Sequence, residues 1–233
     1  MAIARRFVEQ GAKVALLGIA EHRLRDAERE LGPDVTYPVL ADVTNNGQVA
    51  AAIRGTITRF GRIDVVVANA GISGVVAPVA EYPDDEFDRV LAVGVRGAFL
   101  VCKYALPVMA DGGSVIITSS VVGLTSDAGI SAYAVAKHAV VGLMRTLAKE
   151  VAPRGIRVNT IHPGPMDNEF QHRIEMAVTG TPREQAAKAF DAMIPLGRHA
   201  DPDEIARAVL FLATDDSSFM TGSALVVDGG MSI

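Results

Sequence analysis

A doubly wound α/β fold, with one parallel sheet covered by helices on both faces, is predicted by three features of the sequence. Short β-branched runs alternate with longer stretches of helical spacing. The alternation continues to the end of the chain, as a parallel sheet with right-handed crossovers requires. Most of the β-branched runs are apolar throughout, the pattern of strands buried on both faces.

The elements follow in order. Ile3, Ala4, Phe7 and Val8 fall at the spacing of a short amphipathic helix, and Glu9 and Lys13 set this segment apart from a signal peptide. A strand from Val14 to Leu17 precedes a helix with Leu24, Ala27 and Leu31 on one face, and a strand from Val35 to Leu40 precedes one with Val49, Ile53, Ile57 and Phe60. The third strand, Ile63 to Ala68, leads to a long helix from about Asp84 to Met109. The fourth, Val115 to Thr118, leads to a helix from Ser131 to Val151 with Val135, Ala139, Leu143 and Leu147 at turn spacing. Arg157 to Ile161 and Ala224 to Val227 complete the strands. Thr181-Pro182-Glu184 and Asp201-Pro202-Glu204 each read as a capping residue, a proline at the first helical position and an acid in the first turn. No linker, repeat or low-complexity tract divides residues 1–233, so one domain is expected.

Composition narrows the function classes. With 233 residues, 49% hydrophobic, and a formal net charge of −5, the chain has the makeup of a globular domain without a basic footprint. Nucleic-acid and membrane partners are therefore not expected, and no uninterrupted apolar run approaches the roughly 18 residues of a membrane span. The single cysteine, Cys102, cannot close an internal disulfide, which fits a cytoplasmic protein. The five histidines are scattered without a carboxylate or cysteine cluster in sequence, so no metal site is expected.

Ligands of open α/β sheets bind beyond the carboxyl ends of the strands. At those positions stand Asp42-Val43, Asn69-Ala70-Gly71, Ser119-Ser120 and His162-Pro163-Gly164. Strand ends need turn residues in any case, so none of these clusters decides the function alone. Tyr133 and Lys137 lie four residues apart on a helix and share a face. An ammonium beside a phenol favours the phenolate, so this spacing predicts a tyrosine pKa lowered towards neutrality and usable for proton transfer. Ser120, at the mouth of the preceding strand, is placed to polarise the carbonyl that such a tyrosine protonates.

Taken together, Asn69-Ala70-Gly71, Ser120, Tyr133-Ala134-Val135-Ala136-Lys137, Pro163-Gly164 and Val227-Asp228-Gly229-Gly230 resemble the short-chain dehydrogenase/reductase family, in the same order and over essentially the whole chain. The resemblance implies an oxidoreductase that interconverts a secondary alcohol and a ketone with NAD or NADP, preference undetermined. By position it makes Tyr133 the acid and base, Ser120 the residue orienting the substrate oxygen, and Lys137 the holder of the nicotinamide ribose. It places Asp42 and Val43 beside the adenine, Asn69, Ala70 and Gly71 on the floor of the cofactor cleft, and Pro163, Gly164 and Asn168 near the nicotinamide. Asn168 has a second reading as the cap of the next helix. Residues 165–196 correspond to the substrate lid, whose Met166, Phe170, Met176, Phe190, Met193 and Ile194 fit a small molecule with a hydrophobic body. Homotetramers packed through the helices of Phe99 and Leu143 are also implied.

The sequence departs from the family pattern in three places. Family members open with a strand and a glycine-rich turn that binds the pyrophosphate, whereas residue 1 corresponds to the helix that follows, and no Gly-x-Gly occurs. Two arrangements are open: a longer natural chain supplies the central strand, or the strand at Val14 pairs directly with the one at Ile63. Gly94 replaces the family's asparagine, and Gly18 replaces the aspartate of NAD-preferring members. These departures leave a non-catalytic scaffold of the same fold as the alternative to an enzyme.

Overall fold

The computed structural model describes residues 1–233. Helix α1 (Ala2–Glu9) leads to β1 (Val14–Gly18), α2 (Glu21–Leu31), β2 (Thr36–Leu40), α3 (Asn46–Phe60) and β3 (Val65–Ala68). There follow α4 (Asp84–Leu91), a π-helical turn at Ala92–Arg96, α5 (Gly97–Ala105), β4 (Ser114–Thr118), α6 (Ser131–Val151) and β5 (Arg157–Pro163). Helices α7 (Glu169–Thr179), α8 (Arg183–Asp191) and α9 (Pro202–Ala213) precede β6 (Ala224–Val227).

All strand pairs are parallel, in two separate groups: β1 with β2, and β3-β4-β5-β6 in that order. Val65 faces Ser114, Ser114 faces Arg157 and Thr160 faces Ala224, so the four strands end in near register along one edge. On one face of this sheet the core joins Val66, Val115, Ile117 and Val158 to Cys102 and Ala105 of α5 and to Val140, Met144 and Leu147 of α6. On the other, Ile116 and Ile161 pack on Ile205, Val209 and Leu212 of α9, with Ile3 and Phe7 of α1 against them. Arg6 also pairs with Asp203, fixing α1 along α9.

β1 and β3 do not pair, which rules out direct closure of the sheet between Val14 and Ile63. A slot of about 720 Å³ separates them. The residues of both strands line it, with Ile3 and Phe7 closing one side and Ile53 and Val101 the other. All of β1 is only half-buried as a result, against the expectation of a strand covered on both faces.

The long helix expected over Asp84 to Met109 is interrupted by the π-helical turn around Gly94. By length and composition the stretch Asp84–Val108 is sufficient to cross a membrane, a property that counting uninterrupted apolar runs did not detect. It carries Arg96 and Lys103, and α5 packs on β3 and α3.

Candidate active site

The edge where β3, β4 and β5 end gathers the candidate groups. Beyond β4, the Ser119 hydroxyl donates to the Lys137 carbonyl at 2.8 Å and ties the strand end to α6. Ser120 has extended backbone (φ −165°), and its carbonyl accepts from His162 Nδ1 at 2.8 Å. A carbonyl only accepts, so the His162 proton sits on Nδ1 and Nε2 accepts from the Thr160 hydroxyl at 2.8 Å. That neutral imidazole agrees with its burial, which holds the pKa down. The sequence places His162 just beyond the strand's end; it lies inside β5, which runs to Pro163, and it positions the Ser120 backbone. Its spacing from Ser120 carries no local signal, because the two meet only through strand pairing.

Tyr133 and Lys137 stand one turn apart on α6, with the Lys137 Nζ over the Tyr133 ring at 5.5 Å from its centroid. Lys137 is buried, and burial pushes its pKa down to about 8. Its Nζ donates to the Thr118 carbonyl at 2.8 Å. An ammonium has three donors, and this is the one hydrogen bond the chain gives it. Two donors of a buried cation are thus unspent, a costly state for a site that binds nothing. Burial also pushes the Tyr133 phenol up to about 12, against a smaller downward pull from the Ser120 hydroxyl. The expected lowering by Lys137 does not occur: the amine faces the ring, and desolvation of the phenolate dominates.

The other candidates divide between open positions and ones with structural duties. Asn69 and Ala70 are exposed at the end of β3, and the Asn69 Oδ1 accepts from the Thr118 hydroxyl at 3.1 Å. A Cβ on Gly71 would sit 3.4 Å from Lys137 Nζ, so the glycine keeps space beside the amine. The Asp42 carboxylate accepts from the backbone and hydroxyl of Thr44, both at 2.8 Å, and Val43 packs on Gly97. Gly164 lets β5 approach β6: a Cβ there would fall 2.8 Å from the Asp228 Cα. The Asn168 Oδ1 accepts from the Gln171 amide at 2.9 Å, so its capping role is realised and its carbonyl oxygen is spent on α7.

Residues 165–196 form the helical pair α7 and α8. Phe170 lies against Tyr133 with ring centroids 6.2 Å apart, and both Tyr133 and Met231 of the C-terminal segment pack on the cluster of Val121, Val122 and Ile130. Farther from the edge, the fold brings His172 and His199 together around the fully buried Glu175, a grouping hidden in sequence by the distance between the two histidines.

Residues 1–232 match the sequence model of a family described as enoyl-(acyl carrier protein) reductase. Over 235 residues the chain is 40% identical to momilactone A synthase of Oryza sativa subsp. japonica, an alignment spanning 99% of this chain and 84% of that protein. The chain belongs to the short-chain dehydrogenases/reductases.

Among solved structures, this short-chain dehydrogenase/reductase superimposes on levodione reductase with a TM-score of 0.95 at 36% identity, covering 99% of this chain and 92% of the other. On NAD+-bound xylitol dehydrogenase the TM-score is 0.93 at 35% identity, with 98% and 93% covered. As a short-chain dehydrogenase/reductase it is an NAD(P)-dependent oxidoreductase.

Proposed function

We propose that this enzyme interconverts a secondary alcohol and a ketone, with Tyr133 as the proton donor and acceptor. The observation that carries the reading is the buried Lys137 ammonium with two unspent donors, one helical turn from a tyrosine whose pKa the Ser120 hydroxyl pulls down. Bound NAD or NADP supplies or accepts the hydride at the substrate carbon. In the reductive direction the Tyr133 hydroxyl gives its proton to the carbonyl oxygen, and Ser120 Oγ donates a hydrogen bond to the same oxygen. The free donors of Lys137 fit the hydroxyls of a ribose, and Gly71 leaves room beside them. Asn69 and Ala70 form the floor of that cleft, Pro163 and Gly164 border the nicotinamide, and the turn at Asp42-Val43 borders the adenine. Asn168 retains its side-chain amide N–H groups for the nicotinamide side. The apolar wall of Phe170 and Met231 fits a small substrate with a hydrophobic body under the lid at 165–196.

The same reading includes one more parallel strand, lying between β1 and β3 and ending in a glycine-rich turn at the start of α1. Two unpaired strand edges facing an apolar slot support it, because a strand edge left unpaired forgoes its ladder hydrogen bonds. α1 has no side-chain cap, so its first amides suit a pyrophosphate. Residues upstream of Met1 are the natural source of this strand. A cytoplasmic homotetramer packed through α5 and α6, where Phe99 and Val135 are exposed, completes the reading.

NADH and NADPH fluorescence titrations test it on this chain and on one extended upstream by about twenty residues, enough for a strand and a turn. Tighter binding by the longer chain supports the strand, and failure of both chains to bind overturns the oxidoreductase reading. Tyr133→Phe is expected to lower kcat by about 10²- to 10⁴-fold with cofactor affinity unchanged. Retained turnover in that variant removes Tyr133 from its role.

A further inference from the structure

Away from the active site, two histidines and three carboxylates alternate in a chain of contacts. His172 Nε2 lies 2.9 Å from Asp167 Oδ1, and His172 Nδ1 lies 3.3 Å from Glu175 Oε2. His199 Nε2 is 2.5 Å from Glu175 Oε1, and His199 Nδ1 is 2.7 Å from Asp191 Oδ1. A neutral imidazole has one N–H. If each ring donates it outward, His172 to Asp167 and His199 to Asp191, the inward nitrogens present lone pairs to the Glu175 carboxylate, which also only accepts. Glu175 has no exposure to solvent, and the two rings are nearly buried, so water does not relieve the conflict. Gln171 donates to Glu175 Oε1 at 3.0 Å, leaving Oε2 with only the His172 ring as its partner.

We propose that His172, Glu175 and His199 bind one divalent transition-metal ion, with zinc the best match to two imidazoles and a carboxylate. Their ligand atoms all lie within 4.8 Å of one another. Tetrahedral zinc with bonds of about 2.0 to 2.1 Å spaces its ligands about 3.3 Å apart. The His172–Glu175 pair has that spacing at 3.3 Å, and the His199–Glu175 pair reaches it by opening from 2.5 Å. Asp167 and Asp191 occupy the place of outer carboxylates that accept the second ring N–H of metal-binding histidines, fixing tautomer and orientation. A cavity of about 400 Å³, lined by Asp167, His172, Asp191, Arg198, His199 and Asp201, gives the ion an entry path and room for a water as fourth ligand. Arg198 is paired with Glu204 rather than with this cluster. The ion takes the place of the ring protons through which His172 and His199 otherwise pair with the three carboxylates.

The site joins two segments of the chain. Glu175 and His172 belong to α7, and His199 follows α8 beside the Met166–Ala200 bridge. Because Phe170 of α7 rests on Tyr133, the ion holds the lid in register over the active site, a consequence that depends on the function proposed above. Binding itself does not depend on it.

Calorimetric titration of chelator-treated protein with Zn²⁺, together with the visible absorption of the Co²⁺ form, tests the site. One ion per chain and a tetrahedral Co²⁺ spectrum are expected. Glu175→Gln and His199→Gln, checked for folding by circular dichroism, are expected to weaken binding by about 100-fold, and Asp191→Asn by about 10-fold. Absence of saturable binding to the folded wild-type chain overturns the proposal, and identifies the cluster as an imidazolium–carboxylate network. Unchanged affinity in the folded variants overturns it equally. Cofactor titration of the same metal-free and metal-loaded protein reports separately on the oxidoreductase reading.

Discussion

Lys137 shows how a buried ammonium is held at the expense of stability. Its pKa of about 8 in the fold lies below the ordinary 10.5, so the unfolded chain holds more protons between those values. The penalty for burying the ammonium is therefore complete below pH 8 and shrinks as pH rises towards 10.5. Lys137→Met is expected to raise stability at pH 7 by roughly 1 to 3 kcal/mol while abolishing turnover, and urea unfolding of the two proteins measures the difference. Tyr133, at about 12, is a protonated donor through the physiological range. Reduction is expected to run level from pH 6 to 8 and to fall above 8 as Lys137 loses its charge. On the mechanism proposed above, oxidation draws on the phenolate and is expected to climb with pH below 8, as paired pH–rate profiles would show. That Ser120, Tyr133 and Lys137 gather at one sheet edge was legible because strand end and helical turn place them locally. The tyrosine pKa was not, because desolvation depends on what the fold packs around the phenol rather than on its sequence neighbours.

At the level of elements, caps and turns separate the readable signals from the misleading ones. Asp201-Pro202-Glu204 forms the full capping box at the start of α9: Asp201 accepts from the Asp203 amide at 2.7 Å, and Glu204 from the Asp201 amide at 2.8 Å. Asp201→Ala is expected to cost about 1 kcal/mol, a change that thermal unfolding detects. Thr181-Pro182-Glu184 carries the same pattern but no box, because the Thr181 hydroxyl pairs with Thr179 at 2.8 Å and α8 starts one residue later. Strand positions read from apolar runs agree with the fold to within a residue or two, since apolar residues predominate in these strands. β5 extends further than expected because His162 is fully satisfied by Ser120 and Thr160 inside the sheet. The π-helical turn at Gly94 left no trace in the hydrophobic spacing on either side of it. A Cβ at Gly94 would stand 3.4 Å from that of Ala136, so the glycine allows α6 to pass close to the turn.

For the whole molecule, the order of strands and helices was readable because alternation along the chain dictates a parallel sheet, and the gathering of polar residues at its carboxyl edge follows from it. The pairing of β1 was not, since a strand run does not say which neighbour it takes. The grouping of His172 with His199 likewise arises only when α7, α8 and the approach to α9 fold on one another. The division of the sheet has one further effect. β1 and β2 exchange backbone hydrogen bonds with each other alone, whereas β4 and β5 are each bonded on both sides. Amide deuterium uptake is therefore expected in two populations, with Val14–Gly18 and Thr36–Leu40 labelling well before Ser114–Thr118 and Arg157–Pro163. Uniform protection across all of these strands would show that the two halves open as one. Otherwise the β1–α2–β2 unit, hinged between an α1 held on α9 and the rest of the sheet, opens on its own and is the natural first point of attack for a protease.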